Sequence, residues 1–117
     1  MSGNSLNITI RQDTLFERML VIKDSSGALV DLTGYTFKSS AKLNYASSAA
    51  FAFVFTIQNQ TTAKGQVLWT LPSASSNALT ITEDTVYIYD VLMIQPGHEP
   101  LSIISGDVLM QPKRTTP

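Results

Sequence analysis

Apolar and polar residues alternate along most of this chain with a period of two. From Tyr35 to Leu43 the odd positions are apolar or small and the even ones polar. On a strand that puts Tyr35, Phe37, Ala41 and Leu43 on one face, with Lys38 and Lys42 on the other. A helix would need apolar residues three and four apart, and this stretch lacks them. Phe51, Phe53, Phe55 and Ile57 repeat the alternation, and so do Val67, Trp69 and Leu71. The pattern predicts two strands joined across Gln58 to Gly65. Ile8 and Ile10 mark a strand over Asn7 to Gln12. Thr85 to Ile94, Leu101 to Ile104 and Asp107 to Gln111 complete the set. Leu15 to Lys23 differs: Phe16, Leu20 and Ile22 lie on one face, but Leu15, Met19 and Val21 lie on the other. Such a strand is covered on two sides or buries one face in a partner.

Turn chemistry punctuates these runs. Asp24-Ser25-Ser26-Gly27, Asp31-Leu32-Thr33-Gly34 and Pro96-Gly97-His98-Glu99 each combine a glycine with a local hydrogen-bonding side chain or a proline. Pro72 to Leu79 is the one helical candidate, with Pro72 at its first position. Eight or nine short strands at regular spacing predict an all-β, antiparallel β-sandwich, Ig-like or jelly-roll-like. Crossover helices for a parallel sheet have no room. The 117 residues make one domain, 1–117, with loose ends at about 1–6 and 112–117. Phe37, Phe51, Phe53, Phe55, Trp69 and Val91 are the expected core.

Composition narrows the function. Net charge is −1 with no basic cluster, so a nucleic-acid partner is not expected. No apolar run approaches the roughly 20 residues that span a bilayer, so no membrane association is expected either. Residues 1–13 lack a basic segment followed by an apolar one, which argues against a signal peptide. There is no cysteine, which removes thiolate chemistry and fits synthesis in a reducing cytoplasm. Ser and Thr make up about a fifth of the chain, in keeping with wet strand faces.

The inventory for catalysis is thin. His98 is the only histidine and sits in a turn, whereas a zinc site takes three or four ligands. Ser105-Gly106-Asp107 reads as a turn, and no Gly-x-Ser-x-Gly elbow is present. Asp31, Asp90 and Asp107 are too far apart in sequence for a calcium loop. Glu83-Asp84 reads as a cap on the turn before Thr85. The six glycines are isolated, so none forms a phosphate cradle. No cofactor and no metal are expected. Tyr45 falls outside the strand alternation, in Asn44 to Ser48, and is the best exposed aromatic. Tyr87 and Tyr89 share one strand face and read as core residues with wet hydroxyls.

The order of these motifs carries one further point. Gly27 to Phe37 reads GALVDLTGYTF, Lys64 to Pro72 reads KGQVLWTLP, Val86 to Val91 reads VYIYDV and Ile104 to Met110 reads ISGDVLM, followed by Lys113-Arg114-Thr115. Taken together, from about Asn7 to Thr115, this resembles small phage and prophage virion structural proteins. It is similar to the Ig-like N-terminal domain of upper baseplate proteins. The resemblance implies a virion component without catalysis. Asp31, Thr33 and Gly34 would then fix the turn before the Tyr35 strand, Gly65 would open the Trp69 strand, Asp90 would tie a neighbouring loop, and Gly106 would turn the last strand into the sheet. The loop from Tyr45 to Ala50 departs from that pattern, and Tyr45 and Arg114 are candidate interface residues.

The expected function is that of a non-enzymatic phage structural protein, made in the host cytoplasm and located in the virion. It would assemble by protein–protein contacts at the tail, baseplate or fibre attachment, or as a capsid decoration (cement) protein. Its partners would be other virion proteins and copies of itself in a homo-oligomer. The alternative is a carbohydrate-binding β-sandwich module, with Tyr45 and Trp69 stacking on host glycans. A small hydrolase using Ser105, His98 and Asp107 is the least favoured reading.

Overall fold

The phenylalanine run does not make one strand. In a computed structural model that describes residues 4–113, Phe51–Ala52 forms β5 and Val54–Ile57 forms β6, and the two belong to different sheets. The chain crosses between layers at Phe53. Its N–H still bonds to the Ser39 carbonyl of the first sheet at 2.9 Å, while Val54, one residue on, pairs with Thr70 of the second. One backbone segment therefore links both halves of the sandwich.

The larger sheet contains β1 (Asn4–Ser5), β2 (Ile8–Arg11), β4 (Thr36–Lys42), β5, β8 (Thr85–Ile94) and β9 (Leu101–Gln111). Its order is β1-β9-β8-β4-β5, and β2 continues the β1 edge along β9. The smaller sheet is β3 (Phe16–Val21), β7 (Gln66–Leu71) and β6, in the order β3-β7-β6. The fold is an all-β sandwich, as the alternation predicts.

Between the layers lies an aromatic cluster. Trp69 is fully buried. Its ring meets Phe16 and Phe53 edge to face, with centroids 5.2 and 5.3 Å away, and stacks on Phe55 at 6.3 Å. Phe53 also meets Phe51 and Tyr89. Edge-on contacts suit the ring quadrupoles and add to the area effect. Phe37, Phe51, Phe53 and Val91 are buried as expected, whereas Phe55 is half-buried against the cluster. The indole N–H of Trp69 finds no acceptor among the described residues. That omission costs about 1–3 kcal/mol, which burial of the rings outweighs at roughly 2–3 kcal/mol each.

Three expectations need correction. The sheet is not antiparallel throughout: β1 and β2 run parallel to β9, with Asn4 opposite Ile104 and Ile8 opposite Val108. A parallel pair needs a crossover, and here nearly the whole domain serves as one. Leu101 to Gln111 is a single strand, so Ser105-Gly106-Asp107 is not a turn. Pro72 precedes the helix rather than opening it: α1 spans Ser73–Asn77, and Pro72 caps it in an extended conformation.

Gly106 has a different role from the one expected. A Cβ there would run into the Leu6 carbonyl and sit 3.0 Å from Asn7 Oδ1. Without it, the N-terminal segment dips against β9. Leu6 N–H bonds to Ser105 O at 2.9 Å, Asn7 Oδ1 accepts from Asp107 N at 3.0 Å, and the Tyr89 hydroxyl donates to Leu6 O at 2.6 Å. The Tyr89 hydroxyl is thus bonded inside rather than wet. The end expected to be loose over 1–6 is held at Asn4 to Leu6.

Gly106→Ala is expected to cost about 3 kcal/mol in urea unfolding and to speed amide exchange at Leu6, whereas Gly27→Ala, with open space around it, costs about 1 kcal/mol. Burial raises the Tyr89 hydroxyl from the ordinary 10.0 to about 12 and also raises Tyr87. Between those two values the folded state holds a proton that the unfolded chain has lost. Stability is therefore full below about pH 10 and falls towards pH 12. Urea midpoints measured across that range should show the fall, and Tyr89→Phe should flatten most of it, leaving the part due to Tyr87.

Candidate functional site

The polar side chains singled out from the sequence do not converge. His98 lies in the β8–β9 turn, where its ring Nδ1 is 3.0 Å from Pro96 O. Ser105 and Asp107 line a hollow on the outer face of the large sheet to which His98 contributes nothing. Among the described residues, no three His, Cys, Asp or Glu side chains come close enough to hold a metal. Asp31 does organise its turn. Its Oδ1 accepts from Thr33 Oγ1 at 2.7 Å and Thr33 N at 3.0 Å, and these bonds hold its carboxyl below the usual range. Gly34 follows in the same turn. The turn before β8 is held by Thr85 Oγ1 donating to the Glu83 carbonyl, not by a carboxylate. Asp90 sits in mid-strand on β8, opposite Ser40 and Ser105, and anchors no turn.

Gly65 behaves as expected and for two reasons. Its φ is 79°, and a Cβ would lie 2.8 Å from the Ile22 carbonyl. The residue that completes this junction is Gln60, which periodicity could not flag. Its Oε1 accepts from Gly65 N and from Leu32 N, both at 2.9 Å, while Nε2 donates to Gln58 O at 2.8 Å. One amide thus ties the β6–β7 loop to the Asp31 turn beside fully buried Leu32.

Two surfaces remain with something to offer a partner. The first is the small sheet. β3 has β7 on one side only. Its outer face carries Met19 and Val21, and Val54 of β6 lies across β7 from it. Leu15, Val21 and Val54 are 61%, 51% and 48% exposed. The strand seen in the sequence as apolar on both faces therefore leaves Leu15, Met19 and Val21 in water, on a face that also carries Glu17, Thr70 and Gln66. Beside it opens a cleft of about 530 Å³ between the layers, lined by Leu20, Ile22, Val30, Tyr35, Met93 and Ile103 among others. The second surface is the outer face of the large sheet, polar and overlooked by Tyr45, which is 88% exposed. Trp69 is sealed in the core and cannot stack on a sugar. Arg114 lies outside the described residues.

No known protein family and no curated protein matches this chain. Fold and surfaces together define a β-sandwich module with an open strand edge.

Gln60→Ala leaves two backbone N–H groups without their acceptor. It is expected to lower stability by about 2 kcal/mol, with the loss of amide protection concentrated at Leu32 and Gly65 in hydrogen exchange.

Proposed function

We propose that this protein is a non-enzymatic structural component of a phage or prophage virion, and that it acts by docking on neighbouring virion proteins and on copies of itself. The resemblance of the motif order to that of upper baseplate proteins is what supports the phage assignment. The single observation that supports docking is β3: an edge strand with β7 as its one ladder partner among the described residues, exposed Met19 and Val21 on its outer face beside Glu17, and a largely apolar cleft at its side. Such an edge accepts another strand, the ladder giving affinity and the flanking side chains register. A cleft lined by Leu20, Ile22 and Ile103 would take the inward side chains of the added strand. An interface of this kind is weak singly and strong when repeated around a ring or shell.

Mass spectrometry of particles purified from the strain that carries this sequence tests the reading. The chain should be present at fixed stoichiometry, and its absence would refute a virion role. Hundreds of copies would place it on the capsid as a cement protein, whereas about six or twelve would place it in the tail or baseplate. Val21→Lys alters an exposed edge position and should change stability by no more than about 0.5 kcal/mol. It should nevertheless reduce incorporation into particles several-fold. Full incorporation of the variant would remove β3 from the interface.

A further inference from the structure

We infer that the outer face of the large sheet binds a neutral hexopyranose residue of a glycan, stacked on Tyr45 and hydrogen-bonded by Asp90 and Asp107. This is a separate activity on the opposite face from β3, and it does not depend on the virion assignment.

The pairing register builds the site. Ser40, Asp90 and Ser105 stand side by side on β4, β8 and β9, and Lys42, Ile88 and Asp107 form the next row on the same face. Neighbouring strands lie about 4.8 Å apart, and diagonal pairs such as Asp90 and Asp107 about 7–8 Å. That spacing leaves room for one sugar ring between the carboxylates. These residues line one open hollow of about 410 Å³. Tyr45 closes one side of it. Its loop is not slack: Asn44 Oδ1 accepts from Ala46 N at 3.0 Å, and Asn44 O accepts from Ser47 N at 3.1 Å.

A pyranose needs this combination. It has an apolar C–H face, which an exposed ring covers, and a rim of hydroxyls. Carboxylates only accept hydrogen bonds, and their charge makes those bonds strong. Ser40 and Ser105 can donate or accept, and Lys42 donates. The donors and acceptors project from strands, so little ordering is needed on binding. Two carboxylates against one ammonium leave the hollow net negative. Uronic and sialic acids are therefore disfavoured, and neutral hexoses are favoured.

The test is an array of neutral and acidic oligosaccharides presented to the full chain, followed by calorimetric titration of the best neutral ligand. Trp69 is too deeply buried to report binding by its emission. At least one neutral hexose oligosaccharide should bind, and acidic ones should not. Tyr45→Ala should weaken binding about tenfold or more, whereas Tyr45→Phe, which keeps the ring, should stay within about twofold. Asp90→Ala and Asp107→Ala should each weaken it about tenfold. Val86→Ser, on the same face but outside the hollow, should leave it unchanged. All these positions are exposed or project from the outer face, and circular dichroism should show an unaltered fold. No binding across the array would overturn the inference, as would a preference for acidic sugars or undiminished affinity in Tyr45→Ala.

Discussion

The sandwich depends on Trp69 sealed between two sheets that are joined through Phe53. Phe53 and Phe16 meet the indole edge-on, and Phe55 stacks against it. Because the chain changes sheets at Phe53, the layers are also joined covalently at a residue in contact with Trp69. Removing a ring here would open a cavity that neither sheet could close by sliding, since both are pinned by the same segment.

The second organising contact is the parallel seam between the first strands and the last. Residues about a hundred positions apart pair along it, so the seam can close only after the rest of the sheet exists. Such non-local pairing is slow to form. It makes β1 and β2 one edge of the large sheet, with β5 at the other end of that sheet, while β3 and β6 are the edges of the small sheet. Natural sheets usually protect a long edge. On β3 that protection is limited to Glu17 and Arg18, beside the exposed Met19 and Val21.

The two outer faces differ in chemistry. The small sheet presents Met19, Val21 and Val54 interspersed with Glu17, Thr56 and Thr70. The large sheet presents serines, Lys42, Asp90 and Asp107, suited to a hydroxylated ligand. His98 belongs to neither face and is occupied within its own turn.

The all-β class, the burial of Phe37, Phe51, Phe53, Trp69 and Val91, the Asp31 turn and the glycine requirement at residue 65 were determined by the sequence alone. Alternation and turn chemistry are local, so they can be read locally. The apolar second face of β3 was equally legible, although its exposure was not. Only the tertiary structure decided that the phenylalanine run splits between sheets, that Leu101 to Gln111 is one strand, and that Gly106 receives the Leu6 carbonyl instead of making a turn. It also decided that Gln60 bridges two loops and that Asp90 and Asp107 flank one hollow beneath Tyr45. Each of these depends on which strands become neighbours, and a period of two says which face a side chain takes without saying what will lie across from it.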